Sequence, residues 1–214
     1  MRNIPVFTTE YGAATLILES IPARKEAFIR ILSSLEPEKL LLECQDFCVA
    51  CGAERVFASG HECLEAFPFA MAILQMNGNR QSVGETDAAL FPIQEKTASQ
   101  WRNIYNEKMS GVPKAAFITE IAMKKRLKEG NAYFVHRDGQ LLGIGVASGN
   151  QIDAVAVVVP GAGETVVQAL CHALSEDVVT LEVASTNQRA IRLYERLGFI
   201  PVQEISRWYK IFPY

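Results

Sequence analysis

Residues 181–199 read Leu-Glu-Val-Ala-Ser-Thr-Asn-Gln-Arg-Ala-Ile-Arg-Leu-Tyr-Glu-Arg-Leu-Gly-Phe and carry the clearest structural signals of the sequence. Its first residues continue a β-branched run that predicts a strand over 178–184. Asn187 stands where a helix N-cap belongs, and Gly198 follows the last apolar position as a stop signal. The stretch therefore predicts a strand, a helix over 187–197 and a closing strand over 199–211.

The preceding residues predict an antiparallel meander and then a crossover. Asp138-Gly139 between two apolar runs indicates a hairpin, because both central residues of such a turn need positive φ. A turn at 149–150 leads into the apolar run 152–159, which predicts a central strand buried on both faces. Three further helices are predicted, beginning near Thr97 and covering 114–127 and 163–174. The order ααβββαβαβ predicts an α/β protein of the α+β type, with a mixed, mainly antiparallel sheet flanked by helices.

The polar stretch 77–87 divides the chain into two predicted domains, a small α/β unit over 1–84 and a larger one over 85–214. The smaller unit has apolar positions that predict two helices, one opened by Pro22 and one running from Pro37 to Cys51 before Gly52. Two strands are predicted, over 13–19 and 55–59, and the run 69–76 fits either type.

Composition excludes several classes of protein. The 214 residues are 49% apolar, which is too apolar for a disordered chain, and the net charge of −3 disfavours binding to nucleic acid. No apolar run reaches the ~20 residues of a membrane span, and the first residues do not resemble a signal peptide. Five cysteines, an odd number, favour reduced thiols, so we expect a cytoplasmic protein that does not bind membranes.

The pattern Asn-x-x-Ala-x-x-Leu-Tyr-x-x-Leu-Gly-Phe over 187–199 resembles the carboxy-terminal motif of the Gcn5-related N-acetyltransferase (GNAT) superfamily at every named position. The element order over 88–214 is also similar to that fold. The resemblance implies an acyl-CoA N-acyltransferase fold with an extra N-terminal α/β unit, which is either unrelated or a degenerate partial copy. It implies transfer of an acetyl group from acetyl-CoA to a primary amine of a small molecule or peptide N-terminus, by a monomer or homodimer.

Three residues are candidates for catalysis. Helical spacing favours a core position for Tyr194, whereas the resemblance implies that its hydroxyl assists the leaving thiolate. Glu182 lies midway along a predicted buried strand and is either part of a structural ion pair or, by the resemblance, the base that takes the amine proton. Asp153 is either a residue beside a turn or a second base close to the thioester.

The resemblance also implies a cofactor site. The backbone of Ala156, Val157 and Val158 matches positions that pair with the pantetheine arm of acetyl-CoA, and Asn187 is a second contact besides its capping role. Gly161 and Gly163 permit close approach of the pyrophosphate to the next helix. The loop departs from the family pattern, since it is about two residues short, lacks the usual Arg or Gln and carries Glu164 in the first helical turn.

Two alternatives come from other classes of function. The spacing Cys44-x₃-Cys48-x₂-Cys51, followed by His61 and Cys63, resembles the cluster motif of radical S-adenosylmethionine enzymes and leaves a Cys-rich metal-binding protein as a remote alternative. The three cysteines also continue one helical face, which favours core packing, so we expect no metal. The shortened loop favours another alternative, a non-catalytic acyl-CoA-binding or regulatory GNAT-like protein.

Overall fold

The computed structural model describes residues 6–112 and 114–211, so Met1–Pro5, where no signal peptide is expected, lie outside the described residues. Its contacts divide the chain into two units. The first unit contains the chain up to Ile73 and from Glu204 onward, and the second contains Leu74–Gln203. The predicted domains, 1–84 and 85–214, stay a prediction, since a division by contacts does not establish which part folds by itself.

The first unit is a sheet with one long helix, and it includes the start of β5 (Phe69–Asn79, up to Ile73). Its elements are β1 (Val6–Thr9), β2 (Gly12–Ile17), the single turn α1 (Ile21–Arg24), β3 (Glu26–Ser34), α2 (Pro37–Ala50), β4 (Arg55–Ser59), a 3₁₀ turn (Glu62–Ala66) and the end of β11 (Ile200–Ile211). The strand order is β1-β2-β3-β4-β11. Strands β3 and β4 are parallel over five residue pairs, from Glu26↔Arg55 to Arg30↔Ser59.

The helix predicted after Pro22 is wrong. Pro22 lies in α1, which ends at Lys25 with φ 58°, and the following apolar residues form β3. Ala27, Phe28 and Ile29 are all buried, so successive side chains on opposite faces of the strand are covered. A strand with apolar residues on both faces has a sequence pattern similar to that of an amphipathic helix. Pairing with β2 and β4 stabilises the strand here.

The second unit contains the remaining elements: β5 (Phe69–Asn79, from Leu74), a 3₁₀ turn (Arg80–Ser82), β6 (Ala89–Pro92), α3 (Glu95–Lys108), α4 (Glu120–Glu129), β7 (Ala132–Arg137), β8 (Gln140–Ser148), β9 (Gln151–Val157), α5 (Gly163–His172), β10 (Val178–Ala184), α6 (Gln188–Arg196) and the start of β11. The strand order is β5-β10-β9-β8-β7-β6. Asp138 and Gly139 have φ of 52° and 76°, which confirms the predicted hairpin turn. The predicted fold class, a mixed and mainly antiparallel sheet with helices, is confirmed.

Three predictions for this unit need correction. Helix α4 begins at Glu120 instead of residue 114, because Thr119 caps it by accepting a hydrogen bond from the Ala122 amide (3.2 Å). Strand β6 was not predicted, since it has only four residues and ends in a proline. The apolar run 152–159 ends as a strand at Val157, and only Ile152 and Ala156 of β9 are buried, so this strand is half-buried.

Helices cover both faces of the second unit's sheet. Helices α5 and α6 pack on one face, with Leu170, Leu181 and Phe199 fully buried there, and α3 and α4 pack on the other around Trp101. Gly143 lets α5 approach β8 closely, because a Cβ there would lie 2.7 Å from Val166 Cγ2. None of the helices in the described residues is long and apolar enough to cross a membrane.

The core of the first unit contains two of the three spaced cysteines. Cys44 and Cys48 of α2 are fully buried, and burial raises the pKa of both thiols to about 12. This confirms core packing for these two residues. The prediction is wrong for Cys51, which is exposed at the C-cap of α2.

Candidate active site

The candidate site begins where β9 and β10 separate. These neighbouring parallel strands pair at only two positions, Thr180↔Gln151 and Leu181↔Ile152. Strand β9 continues to pair with β8 on its other side as far as Val157, after a bulge that leaves Asp153 without an opposite residue. From this bulge onward, one edge of β9 has no strand partner.

The backbone of Val157 points to this open edge. The Val158 amide donates to the Leu142 carbonyl oxygen (2.9 Å), so the polar groups of Val158 face β8. Because consecutive residues of an antiparallel strand direct their polar groups to opposite sides, those of Val157 face away from β8. The Ala156 oxygen faces β8, since it would lie 2.8 Å from a Cβ at Gly143. Three residues, Ala156, Val157 and Val158, were predicted to pair with pantetheine through their backbone. Of these, Val157 is the one whose backbone N–H and C=O lie at the open edge.

The loop after β9 is a tight turn. The Ala162 amide donates to the Val159 carbonyl (3.1 Å), and Gly161 has φ 89°. Proline at the second position and a left-handed glycine at the third are typical of a type II turn. The loop, which is about two residues shorter than the family pattern, therefore forms a closed β-turn that leads directly into α5.

The first turn of α5 has amides without side-chain acceptors. Ala162 is the N-cap and has no polar side chain, although its carbonyl accepts from Val166 N (3.0 Å). The first amides of a helix have no acceptor within it, so they are available to an anion. Gly163 lies against α6, because a Cβ there would be 3.0 Å from Leu193 Cδ2. Glu164 places a carboxylate in the same turn.

Asn187 and Tyr194 belong to α6. The Asn187 side-chain oxygen accepts from the Ala190 amide (3.2 Å), which confirms the N-cap interpretation. Tyr194 is 8% exposed and packs against Phe199 with ring centroids 6.0 Å apart, which confirms its core position. Burial, and then the nearby Cys171 thiol, raise the pKa of Tyr194 to about 12. Its hydroxyl makes no hydrogen bond within the described part of the chain.

Glu182 and Asp153 each follow the last residue at which β10 and β9 pair with each other. Alternation places Glu182 opposite the buried face formed by Leu181 and its neighbours. The Asp153 Oδ2 atom lies 3.8 Å from Nη1 of Arg126 in α4, on the same side of the sheet as Glu182. Glu182 is exposed and has no ion pair among the described residues, so the ion pair expected as the alternative to catalysis does not form. Two carboxylates thus flank the separation of the strands.

The connection between α3 and α4 lies on the same side, and the residue that holds it, Asn106, was not singled out from the sequence. The Asn106 side chain accepts from the Ile118 amide (2.9 Å) and donates to its carbonyl oxygen (3.0 Å), as a neighbouring strand would. Arg102 and Glu120 form an ion pair (3.1 Å) between the two helices. A polar Asn on an otherwise amphipathic helix was the available signal. These contacts fix α4, and hence Arg126, over the site.

Other potential sites are weaker. A shallow depression of about 460 Å³ lies on the far side of α5, lined by Glu85, Thr86, Asp87, Arg137, Thr165 and Gln168. Its two carboxylates do not favour an anionic ligand. Within the described ranges, no group of three or more His, Cys, Asp or Glu side chains is arranged to hold a metal ion.

Comparisons with known proteins concern the fold and one segment of the chain. A family model described as FR47-like protein matches residues 157–208, which contain the turn, α5, β10, α6 and most of β11. A search of curated proteins gives no significant match. Among solved structures, the chain is similar to a GCN5-related N-acetyltransferase from Anabaena variabilis, with a TM-score of 0.61, 10% identity, and coverage of 94% of this chain and 59% of that one.

Two further structures match over nearly the whole chain. One is a conserved protein of unknown function from Staphylococcus epidermidis (TM-score 0.60, 12% identity, 98% of this chain and 94% of that one). The other is a tandem GNAT protein from the clavulanic acid biosynthesis pathway (TM-score 0.52, 13% identity, 94% and 78%). Such low identities establish the fold alone. The chain therefore has the fold of the Gcn5-related N-acetyltransferases and contains an FR47-like segment.

Proposed function

We propose that the protein transfers an acetyl group from acetyl-CoA to a primary amine, at the place where β9 and β10 separate. The observation that carries the proposal is the two-pair parallel ladder, which leaves a backbone edge open next to the start of α5. An extended amide-containing chain can add to such an edge as a strand would. The fold itself points to acyl transfer, and the choice of acetyl-CoA is the proposal.

The residues present fit acetyl-CoA in two respects and oppose it in one. Val157 would hold the amides of the pantetheine arm, and the first amides of α5, beside Gly161 and Gly163, would receive the pyrophosphate. Asn187 remains a proposed contact through its side-chain amide group. Glu164 opposes phosphate binding by its negative charge. When bound, acetyl-CoA supplies the acetyl group as an activated thioester.

Glu182 is the proposed base. An amine must lose its proton before its lone pair can attack, and an exposed carboxylate without a partner can accept that proton directly or through water. Asp153 already faces the Arg126 guanidinium, so it is the weaker candidate for this role. In the net reaction a nitrogen–carbon bond forms, the carbon–sulfur bond breaks, and the proton lost by nitrogen is balanced by the one that the thiol gains.

Tyr194 is the proposed hydrogen-bond donor to the leaving sulfur. Its high pKa keeps the phenol protonated at neutral pH, so a donor is always present. Its hydroxyl has no other partner among the described residues that would compete. The acceptor, a small molecule or a peptide N-terminus, would enter on the side of α3 and α4, where Asn106 holds their connection.

A non-catalytic acyl-CoA-binding protein is the second candidate. The shortened turn and Glu164 favour it, since both weaken the usual phosphate site. The two candidates predict different outcomes, because a binding protein needs the open edge of β9 but has no use for a base at Glu182. The cytoplasmic location expected from the cysteines and the monomeric or homodimeric state stay predictions.

Calorimetry with acetyl-CoA, followed by thiol release with a panel of amines, tests the proposal. Glu182→Gln should lower kcat about 10²- to 10⁴-fold, as expected for loss of a general base, without weakening acetyl-CoA binding. Glu176→Gln, which removes the same charge from an exposed position before β10, is the matched control and should keep full activity. Binding without turnover of any amine would favour the second candidate, and absence of binding would refute both.

A further inference from the structure

Three arginines line one edge of α6. Arg189, Arg192 and Arg196 are exposed, and none of them forms an ion pair within the described part of the chain. At about 100° per residue, their positions fall within about 60° of arc around the helix axis. The acidic residue of the exposed face, Glu195, lies on the other edge. The arginine row, as we call Arg189, Arg192 and Arg196, is therefore a continuous unpaired positive surface.

The arginine row runs past the start of α5. Leu193 borders the row on the helix surface, with Arg189 about one turn before it and Arg196 about one turn after it. The same Leu193 side chain lies next to Gly163, since a Cβ there would be 3.0 Å from Cδ2. This contact brings the arginine row beside the first turn of α5, within the same unit.

The charge of the arginine row compensates for the loop. The turn 159–162 has no cationic side chain, and Glu164 adds a negative charge to the first turn of α5. Three guanidinium groups on the adjacent helix outweigh this single carboxylate. Guanidinium groups also bind phosphate oxygens through two parallel hydrogen bonds, which suits them to polyphosphate ligands better than scattered lysines.

We propose that the arginine row binds the phosphate groups of the CoA moiety and replaces the loop side chain that this sequence lacks. The inference rests on the proposed function, because it names residues of the same site. It assigns the phosphate-binding charge to α6, whereas the backbone of the turn and α5 contributes uncharged donors. It also explains how a short turn followed by Glu164 remains compatible with an anionic ligand.

The test compares two variants with the same net charge. Arg189→Gln, Arg192→Gln and Arg196→Gln are combined in one variant. The control combines Lys96→Gln, Lys124→Gln and Lys128→Gln, three exposed lysines of α3 and α4 without ion pairs among the described residues. Exposed ion pairs contribute modestly each, so the loss of three should make the arginine variant bind acetyl-CoA about tenfold more weakly by calorimetry at low salt. The control should bind as the unmodified protein does.

A phosphate-free donor provides the second readout. Acetyl-pantetheine lacks the charged groups, so its turnover should be the same in the arginine variant and the unmodified protein. Binding of acetyl-CoA should also depend less on salt in the arginine variant. If the combined variant does not fold, as judged by its thermal transition, Arg189→Gln and Arg196→Gln are measured singly, and each should weaken acetyl-CoA binding about twofold.

The outcomes separate this inference from the proposed function. Binding of acetyl-CoA by the unmodified protein, with equal affinity in both charge variants, would overturn the role of the arginine row and leave the function standing. An equal loss of affinity in both variants would also overturn it, since general charge would then be the cause. If the unmodified protein binds no acetyl-CoA, the proposed function fails, and this inference with it.

Discussion

Tyr194→Phe separates the two roles that one hydroxyl can have. Burial raises the pKa of this phenol to about 12, whereas a thiol has a pKa of about 8.5. Full proton transfer from the phenol to a thiolate is therefore uphill by about 3.5 pKa units, or roughly 5 kcal/mol. A hydrogen bond to the developing charge needs no such transfer, so we expect donation of a hydrogen bond to be the contribution of Tyr194.

The size of the effect follows from that contribution. A hydrogen bond to a charged group contributes about 1.5–3 kcal/mol, so its loss should lower kcat about 10- to 150-fold. The affinity for acetyl-CoA should change little. The thermal midpoint should also stay close to that of the unmodified protein, because phenylalanine keeps the packing on Phe199 and leaves no buried partner unsatisfied. Tyr133→Phe, on β7 two strands from β9, is the control and should be fully active.

The pH profile of kcat tests whether Tyr194 keeps its raised pKa in the working site. With its raised pKa, Tyr194 stays protonated up to about pH 11, so the profiles of Tyr194→Phe and the unmodified protein should have the same shape below that pH. An alkaline limb between pH 9 and 10 that disappears in Tyr194→Phe would show that the phenol titrates near its ordinary value. Equal kcat in the two proteins would show that Tyr194 is only a core residue.

Three other predictions follow from the fold. Calorimetry should give one acetyl-CoA per chain, since the parallel pair β3/β4 of the first unit is closed over five residue pairs, and a value of two would refute this. Gly143→Ala should cost about 1–3 kcal/mol of unfolding free energy in urea, because its Cβ would lie 2.7 Å from Val166 Cγ2 and 2.8 Å from the Ala156 oxygen, whereas Gly111→Ala, with nothing within 4 Å, should cost little. Stability should fall as pH rises from about 9 toward 12, because the folded state retains protons that the same thiols lose in the unfolded chain, where their pKa is about 8.5, and equal urea midpoints at pH 8.5 and 10.5 would contradict it. The thiols concerned have pKa values raised by burial to about 12 and are Cys44, Cys48 and Cys171.

The elements that the sequence predicted well have local signals at both ends. The strand 178–184 was predicted with its observed bounds, and α6 is delimited by the Asn187 cap and by Gly198 at φ 84°. The segment after Pro22 lacks such signals. Its apolar residues fit both the helical and the strand period, so pairing with β2 and β4 in the folded chain determines that it forms a strand. A four-residue strand such as β6 carries too few residues to show any period.

The candidate site was only partly accessible to the same reasoning. Alternation along β10 placed Glu182 away from the buried face, and this holds because the strand is regular. The separation of β9 from β10 could not be predicted, since it depends on a bulge at Asp153 and on how far two distant segments stay paired. The arginine row was visible in the sequence, but its position beside α5 depends on the contact of Leu193 with Gly163.

The two units share the same order and pairing of elements, so the lengths of their parallel ladders can be compared. In each, an antiparallel hairpin leads to a strand, a crossover helix and a parallel neighbour: β1-β2-β3-α2-β4 in the first and β7-β8-β9-α5-β10 in the second. This correspondence supports the interpretation of the first unit as a partial copy, which stays a prediction.

The two parallel ladders differ in length, and the difference bears on which unit would bind acetyl-CoA. In the first unit, five paired residues satisfy the facing backbone groups of β3 and β4, and the helix that follows begins Glu36-Pro37-Glu38, with two carboxylates and a proline that has no amide hydrogen. In the second, pairing stops after two residues, and α5 begins at Ala162-Gly163 beside the arginine row. A ligand that binds by adding to a strand edge needs unpaired backbone groups. Of the two parallel pairs, β9/β10 offers such groups beyond its two paired positions, so we expect acetyl-CoA to bind in the second unit.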